Sequence, residues 1–261
     1  MKGNFHTHTY RCKHASGKEE DYVKAAIANG FSELGFSDHG PFPDKDYGLR
    51  MDFSELPEYV SEIERLDKVY GDRIKLFKGL EVEYHPKYSG YYKELISELG
   101  IEYLVLGEHT YTVSGGTMKN IAFAESTKEY IEYAEGIAEG VETGCFAFIA
   151  HPDIMFRNNF SWDRNCDKAC DIILSAAEKY SVPLEFNVNG LRRGFCSFPD
   201  GIRYQYPHER FWKQISGSSQ KVIIGADCHI PEQLNDAYIT MAEKMCTDLK
   251  LNLIERVENI K

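Results

Sequence analysis

Seven short apolar runs recur along the chain with longer amphipathic stretches between them, and this alternation limits the fold more than any other feature. The runs are "GNFHTH" (3–8), "ELGFS" (33–37), "IKLFKGLEV" (74–82), "YLVLG" (103–107), "FAFIAH" (146–151), "VPLEFNV" (182–188) and "KVIIGA" (221–226). Each reads as a strand buried on both faces. Between them, "EEDYVKAAIANG" ends in a glycine cap, and residues 56–70 set Leu56, Val60, Ile63, Leu66 and Tyr70 three to four apart, the spacing of one helical face. Tyr130, Tyr133, Ile137 and Val141 repeat that spacing before Gly144, and helices are also expected over 89–99, 166–180 and the tail from 232 to 258. Strand and helix in such alternation predict an α/β fold, a parallel sheet covered by helices. With no repeat, low-complexity segment or long linker, residues 1–261 are read as a single domain.

Charge narrows the partners. The balance of 30 Lys+Arg against 41 Asp+Glu, a net of -11, opposes attraction to a phosphate polymer, and no basic, aromatic-studded stripe is present. No nucleic-acid partner is expected. A small anionic substrate is still admitted, because local cations or metals override the global field within a Debye length of roughly 8 to 10 Å. The seven cysteines, at 12, 145, 166, 170, 196, 228 and 246, form no regular framework, and no apolar leader precedes Phe5. Reduced thiols in the cytoplasm are expected. Cys166 and Cys170, four apart, share a helix face and are expected to be buried, since no second pair completes a zinc site. No apolar run approaches the roughly 20 residues that cross a bilayer, so no membrane partner is expected.

Seven of the nine histidines fall at a strand end or in the loop after it: His6, His8, His14, His39, His109, His151 and His229. Glu81 and Asp227 occupy the same level. In α/β barrels the C-terminal strand ends share one face, so closure into a barrel would gather these groups in one cup. Alternate strand residues share a side, so His6 points with His8, and Asp227 with His229. Imidazole and carboxylate without thiolate suit zinc, manganese or iron rather than a cysteine-rich structural site. His85 and His208 lie outside the pattern and are read as surface residues.

The ordered motifs "FHTHT", "SDHGPFP", "GLEVEY", "HPD", "EFNVNGLRR" and "ADCH", spread from residue 5 to residue 229, resemble those of the PHP (polymerase and histidinol phosphatase) superfamily, in its histidinol-phosphatase branch. The resemblance implies a distorted (β/α)7 barrel with two or three divalent metal ions at the C-terminal face of the strands. It implies His6, His8, Glu81 and Asp227 around one ion, Glu81 bridging to a second held by His109 and His151, and a third held by His14, His39 and His229. A carboxylate shared between two ions fits the spacing of two-metal hydrolases. One departure is "GEHT", where the family pattern has a smaller residue than Glu108. Glu83, two past Glu81, competes for the bridging position but is read as a solvent-facing acid or one supporting a ligand from behind. Asp38 and Asp153 abut ligands and are expected to accept an imidazole N–H. Cys12 and Cys228 are not expected to bind metal.

A metal cup can deaminate, cleave an amide or cleave a phosphate ester. Arg157, Arg192 and Arg193, just beyond strand ends, point to phosphate, which guanidinium matches with paired hydrogen bonds. The expected mechanism is attack on phosphorus by a hydroxide bridging two metals, its pKa lowered to near 7. The leaving alkoxide then needs a proton, for which Asp38, next to His39, is a candidate donor. The resemblance implies conversion of L-histidinol phosphate and water to L-histidinol and phosphate, a step of histidine biosynthesis. The long loops "GPFPDKDYGLRMDF" (40–53) and "FCSFPDGIRYQYP" (195–207) lie where barrel enzymes keep specificity. Two other readings stand beside this one. The first is a PHP phosphoesterase acting on another small phosphate or a nucleotide; the second is a noncatalytic metal-binding module, although nine candidate ligands exceed the four that close a structural zinc site.

Overall fold

In the computed structural model, which describes residues 2–45, 47–113, 116–257 and 260, each of the seven apolar runs supplies a parallel strand. The first half of the chain runs β1 (Gly3–Asn4), α1 (Glu19–Ala28), β2 (Glu33–Phe36), α2 (Leu56–Tyr70), β3 (Lys75–Val82), α3 (Ser89–Ser97) and β4 (Tyr103–Leu106). A hairpin of β5 (Thr110–Thr112) and β6 (Met118–Asn120) follows, then α4 (Glu129–Glu142), β7 (Phe146–Ile149), α5 (Arg164–Lys179) and β8 (Leu184–Asn187). After the short α6 (Asn189–Arg192) come a second hairpin, β9 (Phe195–Phe198) and β10 (Gly201–Tyr204), and α7 (Glu209–Lys213). The chain ends with β11 (Lys221–Gly225), α8 (Ala237–Asp248) and β12 (Asn252–Leu253).

The strands pair in the order β1-β2-β3-β4-β7-β8-β11-β12, and the sheet curls until its ends meet. At the C-terminal rim Thr7 bridges Cys228, and His8 N–H donates to the Cys228 carbonyl at 3.0 Å. Lower down the Asn4 side chain replaces a backbone partner by accepting from Ala226 N–H at 2.8 Å. β12 lies beside β11 at the opposite end. The result is the distorted α/β barrel expected from the motifs, with a seam closed by one bridge rather than a ladder.

Two apolar clusters hold this shape. Leu34, Leu80, Leu104, Phe186 and Val222 pack outward against the helices, where α5 contributes Cys166, Ala169, Cys170 and Ile173. Phe5, Phe77, Tyr103, Val105, Phe148 and Ile223 fill the lumen, and Val257 packs beneath them. Above this plug the inward positions turn polar, with Glu81 on β3 and Glu185 and Asn187 on β8, all buried. The lumen is therefore dry at one end and ionisable at the other.

Two expectations are corrected. The stretch from 232 begins in a 3-10 turn, Pro231–Asn235, and is α-helical only over Ala237–Asp248, after which the chain returns to the sheet as β12; residue 258 lies outside the described residues. The two hairpins had no strand signal because their residues are largely half-exposed and lack a continuous apolar run. Among the described residues no helix is long and apolar enough to cross a membrane.

Candidate metal centre

The nine proposed ligands meet at the C-terminal rim. Thr7 is pinned between Ser37, which donates its backbone N–H to the Thr7 carbonyl at 2.9 Å, and Cys228 on the other side. His6 and His8 therefore both turn inward, with ring centroids 5.0 Å apart. Glu81 sits at the centre. Its Oε2 lies 3.4 Å from His6 Nε2, 3.3 Å from His8 Nε2 and 2.9 Å from His39 Nδ1, and its Oε1 lies 2.9 Å from His151 Nε2 and 3.8 Å from His109 Nε2. Asp227 Oδ1 stands 3.3 Å from His8 Nε2 and 3.8 Å from His6 Nε2. His229 and His14 face each other through Nε2 atoms 3.0 Å apart, and with His39 they form a further cluster at the mouth.

These separations test whether a cation fits. Ligand atoms about 2.0 to 2.1 Å from an ion, arranged tetrahedrally, stand about 3.3 to 3.4 Å from one another. The His6, His8, Glu81 and Asp227 atoms are spaced at 3.3 to 3.8 Å. His6 Nε2 and His8 Nε2 are buried and have no hydrogen-bond partner among the described residues, and Glu81 Oε2 faces both of them. Buried lone pairs left unpaired are destabilising, and a divalent cation satisfies all of them at once. His151 and Asp227 carry positive φ, 27° and 43°, a conformation that costs roughly 1 to 3 kcal/mol for a residue with a side chain and that concentrates at functional sites.

Electrostatics leaves several donors ready. Burial alone would raise the carboxyls of Glu81 and Asp227, but the imidazoles around them outweigh it and hold both well below the ordinary range. Burial, reinforced by neighbouring histidines, pushes His8 down, and burial takes His39 down to about 4 despite Glu81. His6 behaves oppositely. Burial works against its charge, yet Glu185, Glu81 and Asp227 together raise its pKa.

Glu185 was missed in the sequence, and it performs the task expected of Asp38 and Asp153. One oxygen accepts His6 Nδ1–H at 2.6 Å, leaving Nε2 as the free lone pair, and the other accepts His151 N–H at 2.9 Å. Such a partner fixes the tautomer of a ligating imidazole. A side chain on Gly225 would overlap the Glu185 carboxylate, so the close approach requires glycine there. The available signal was strand alternation within "EFNVNG", which puts Glu185 and Asn187 on the inner face. Asn187 and Asn189 in turn donate to Asp227 Oδ2, each at 3.1 Å.

Several expectations are corrected. Asp38 is buried, and its oxygens accept Thr9 N–H at 2.7 Å and Thr9 Oγ1–H at 2.9 Å; turned into the loop and away from the cup lining, it takes no imidazole N–H among the described residues. Asp153 accepts from His208 N–H and Trp212 Nε1 rather than from an imidazole. Of the two readings of Glu83, the solvent-facing one fails and the supporting one matches the geometry: buried, it pairs with Arg50 through two contacts of 3.0 Å and lies 3.4 Å from His109 Nδ1. His85 and His208 are buried, His85 among Phe42, Tyr47 and Tyr88, and His208 between Phe156 and Trp162. Glu108 turns away from the ligands and accepts Tyr84 N–H at 2.8 Å.

The arginines separate. Arg192 spends its guanidinium on Asp236 at 2.7 Å and on the carbonyls of Ala226 and Gln233, so it is a structural tie and not a phosphate ligand. Arg157 and Arg193 line a cup of about 480 Å³ together with His39, Tyr206 and Asp227. Neither has a carboxylate partner among the described residues, and Arg193 meets only the Tyr206 hydroxyl, at 3.3 Å. The cup thus presents metal-binding donors on its floor and unpaired cations on its wall.

The family model described as PHP domain matches residues 4–189. A protein of Schizosaccharomyces pombe named as a probable histidinol-phosphatase is 34% identical over 266 residues, covering 89% of this chain and 82% of that protein. The histidinol-phosphatase of Bacillus subtilis is 22% identical over 274 residues, covering 94% of this chain and 99% of its own. Among solved structures, histidinol phosphate phosphatase from Lactococcus lactis, complexed with zinc, L-histidinol and phosphate, aligns with a TM-score of 0.73 at 21% identity and covers 100% of this chain and 98% of its own. At that identity the likeness is one of fold.

Proposed function

The chain belongs to the PHP domain family, and on that premise we propose that it is a metal-dependent histidinol-phosphatase, converting L-histidinol phosphate and water to L-histidinol and phosphate. The observation that carries the reading is a pair of cations, Arg157 and Arg193, with no carboxylate partner among the described residues, set in the wall beside the ligand cluster of a protein whose net charge is -11. The naming of the full-length relatives and the zinc, L-histidinol and phosphate in the L. lactis protein support the substrate.

Two or three divalent ions, zinc, manganese or iron, are assigned to His6, His8, Glu81 and Asp227; to Glu81, His109 and His151; and to His14, His39 and His229. Ions held there would supply Lewis acidity and make hydroxide available near neutral pH. The chain does the rest. Glu185 holds His6 in one tautomer, and Glu81 offers one oxygen to each neighbouring set. Arg157 and Arg193 hold the nonreacting phosphoryl oxygens, where charge grows as the ester bond breaks. The whole chain is taken as one metallophosphoesterase domain, with a reducing compartment supported by seven free cysteines.

The test is phosphate release by the purified protein from L-histidinol phosphate, other phosphomonoesters and a bis-ester, alongside elemental analysis. Preference for L-histidinol phosphate is expected, and hydrolysis of another ester with none of this one would overturn the substrate. Arg157→Ala should lower kcat/KM about tenfold to hundredfold, the worth of a charge-assisted hydrogen bond, with bound metal unchanged.

A further inference from the structure

Tyr206 lies beside both wall arginines, and the scheme above leaves its chemistry unused. It is 1% exposed yet lines the cup, and its ring stands edge-on to His151 with centroids 6.3 Å apart. Its hydroxyl oxygen accepts Arg193 Nε–H at 3.3 Å. A phenol accepts and donates through the same oxygen, and the hydroxyl hydrogen meets no acceptor among the described residues. Asp227, the nearby carboxylate, turns Oδ1 to His8 and Oδ2 to Asn187 and Asn189. Arg157 is the other charged neighbour. A buried donor without an acceptor is destabilising, and an anionic oxygen held between Arg157 and Arg193 would relieve it.

The placement is enforced by packing. The Tyr206 carbonyl and ring lie so close to Gly190 in α6 that any side chain there would overlap both. The segment carrying Arg193 and the segment carrying Tyr206 are therefore held together. Burial also keeps the phenol protonated through the working range, with its pKa pushed up to about 12.

We propose that Tyr206 is a third phosphate-binding group, its hydroxyl accepting from Arg193 while donating its own hydrogen to a nonreacting phosphoryl oxygen. This rests on the reading of the cup as a phosphate-ester site. Tyr206 is a catalytic residue in this sense: it touches the group being transferred and strengthens its contact as negative charge accumulates.

The test uses the metal-loaded enzyme and four forms: wild type, Tyr206→Phe, Arg193→Ala and the double variant. Each is measured for kcat/KM with L-histidinol phosphate and, by calorimetry, for binding of inorganic phosphate. Tyr206→Phe should lower kcat/KM roughly tenfold or more and weaken phosphate binding, and both losses should persist when Arg193 is already alanine. No loss, or a loss that vanishes in the Arg193→Ala background, overturns the proposal, the latter because Tyr206 would then act only by positioning Arg193. If the wild type hydrolyses no phosphomonoester, the functional reading fails, while phosphate binding by the four forms still decides the role of Tyr206. Should the phenylalanine variant not fold, a fluorinated tyrosine at 206 keeps the ring and ionises nearer neutrality. Phosphate affinity should then fall on the alkaline side where the wild type stays level, and parallel profiles would overturn the proposal.

Discussion

Glu185 touches His6 Nδ1 and His151 N through separate oxygens, the second of which also accepts from Asn187, so both oxygens are committed to donors. Glu185→Gln keeps the shape but turns an NH2 toward one of those N–H groups. Metal affinity is expected to fall about tenfold to hundredfold, the usual cost of removing a ligand's supporting partner, with the circular dichroism spectrum unchanged; equal affinity in a competitive chelator titration would contradict this. The two adjacent arginines give a paired prediction. Arg192, with 8% of its side chain exposed, grips Asp236, which also caps α8 by accepting from Tyr238 N–H and Ile239 N–H. Arg192→Ala should cost on the order of a few kcal/mol of stability, by leaving a partly buried carboxylate without its partner. Arg193→Ala should leave the melting temperature near that of wild type and lower kcat/KM instead. Equal thermal losses in both would show that Arg193 also holds the fold.

At the scale of elements, the long loop after β2 is tied to the end of β3 by Arg50, which grips Glu83 and the Gly40 carbonyl. Glu83 in turn faces His109. Burial alone would raise the Glu83 carboxyl, but Arg50, with help from His109, holds it well below the ordinary range. A carboxyl depressed in the folded state stabilises it above the unfolded pKa of about 4.3, and the contribution is lost as pH falls below that value toward the folded one. Arg50→Met removes the guanidinium and leaves burial dominant. The gap in melting temperature between wild type and variant should be wide at pH 7 and narrow as pH falls, first as the variant's buried carboxyl takes up its proton above about 4.3 and then as the wild-type pair is lost below it. A gap independent of pH would mean that Arg50 stabilises through packing on Phe42 and Tyr47 rather than through Glu83.

At the scale of the molecule, the apolar lumen plug and the outer helix layer lie apart from the ligand cluster. Chelation should therefore leave the barrel folded and inactive, with a lowered melting temperature; a chain that unfolds on metal removal would favour a purely structural centre. Reloading should release protons. In the metal-free protein burial opposes the charged forms of His6 and His109, but the surrounding carboxylates outweigh it and raise both pKa values. Imidazoles carrying protons near neutrality must lose them to bind, so affinity should weaken as pH falls. Calorimetric titration in buffers of different ionisation enthalpy checks this, and an apparent enthalpy that does not change with buffer would rule out proton release.

The sequence by itself determined the alternating architecture, because strand burial and helix amphipathicity are local periodicities written in consecutive residues. It also determined which histidines and acids share the rim, because parallel strands in a closed sheet carry all their C-terminal ends to one side. Partnership across the barrel was decided only by the tertiary structure. Glu185 and His6 are 179 residues apart, and no local spacing distinguishes that pair from the Asp38 pairing that sequence adjacency suggested. Arg192 and Arg193 are equivalent as letters. They close a helical turn at Asn189–Arg192, where successive side chains diverge by about 100°, so one meets Asp236 and the other the cup. The burial of His85 and His208 was likewise invisible, because what covers them comes from distant elements: Phe42 and Tyr47 over one, Phe156 and Trp162 over the other. Periodicity reports which way a side chain faces, and only the closed fold determines what stands opposite it.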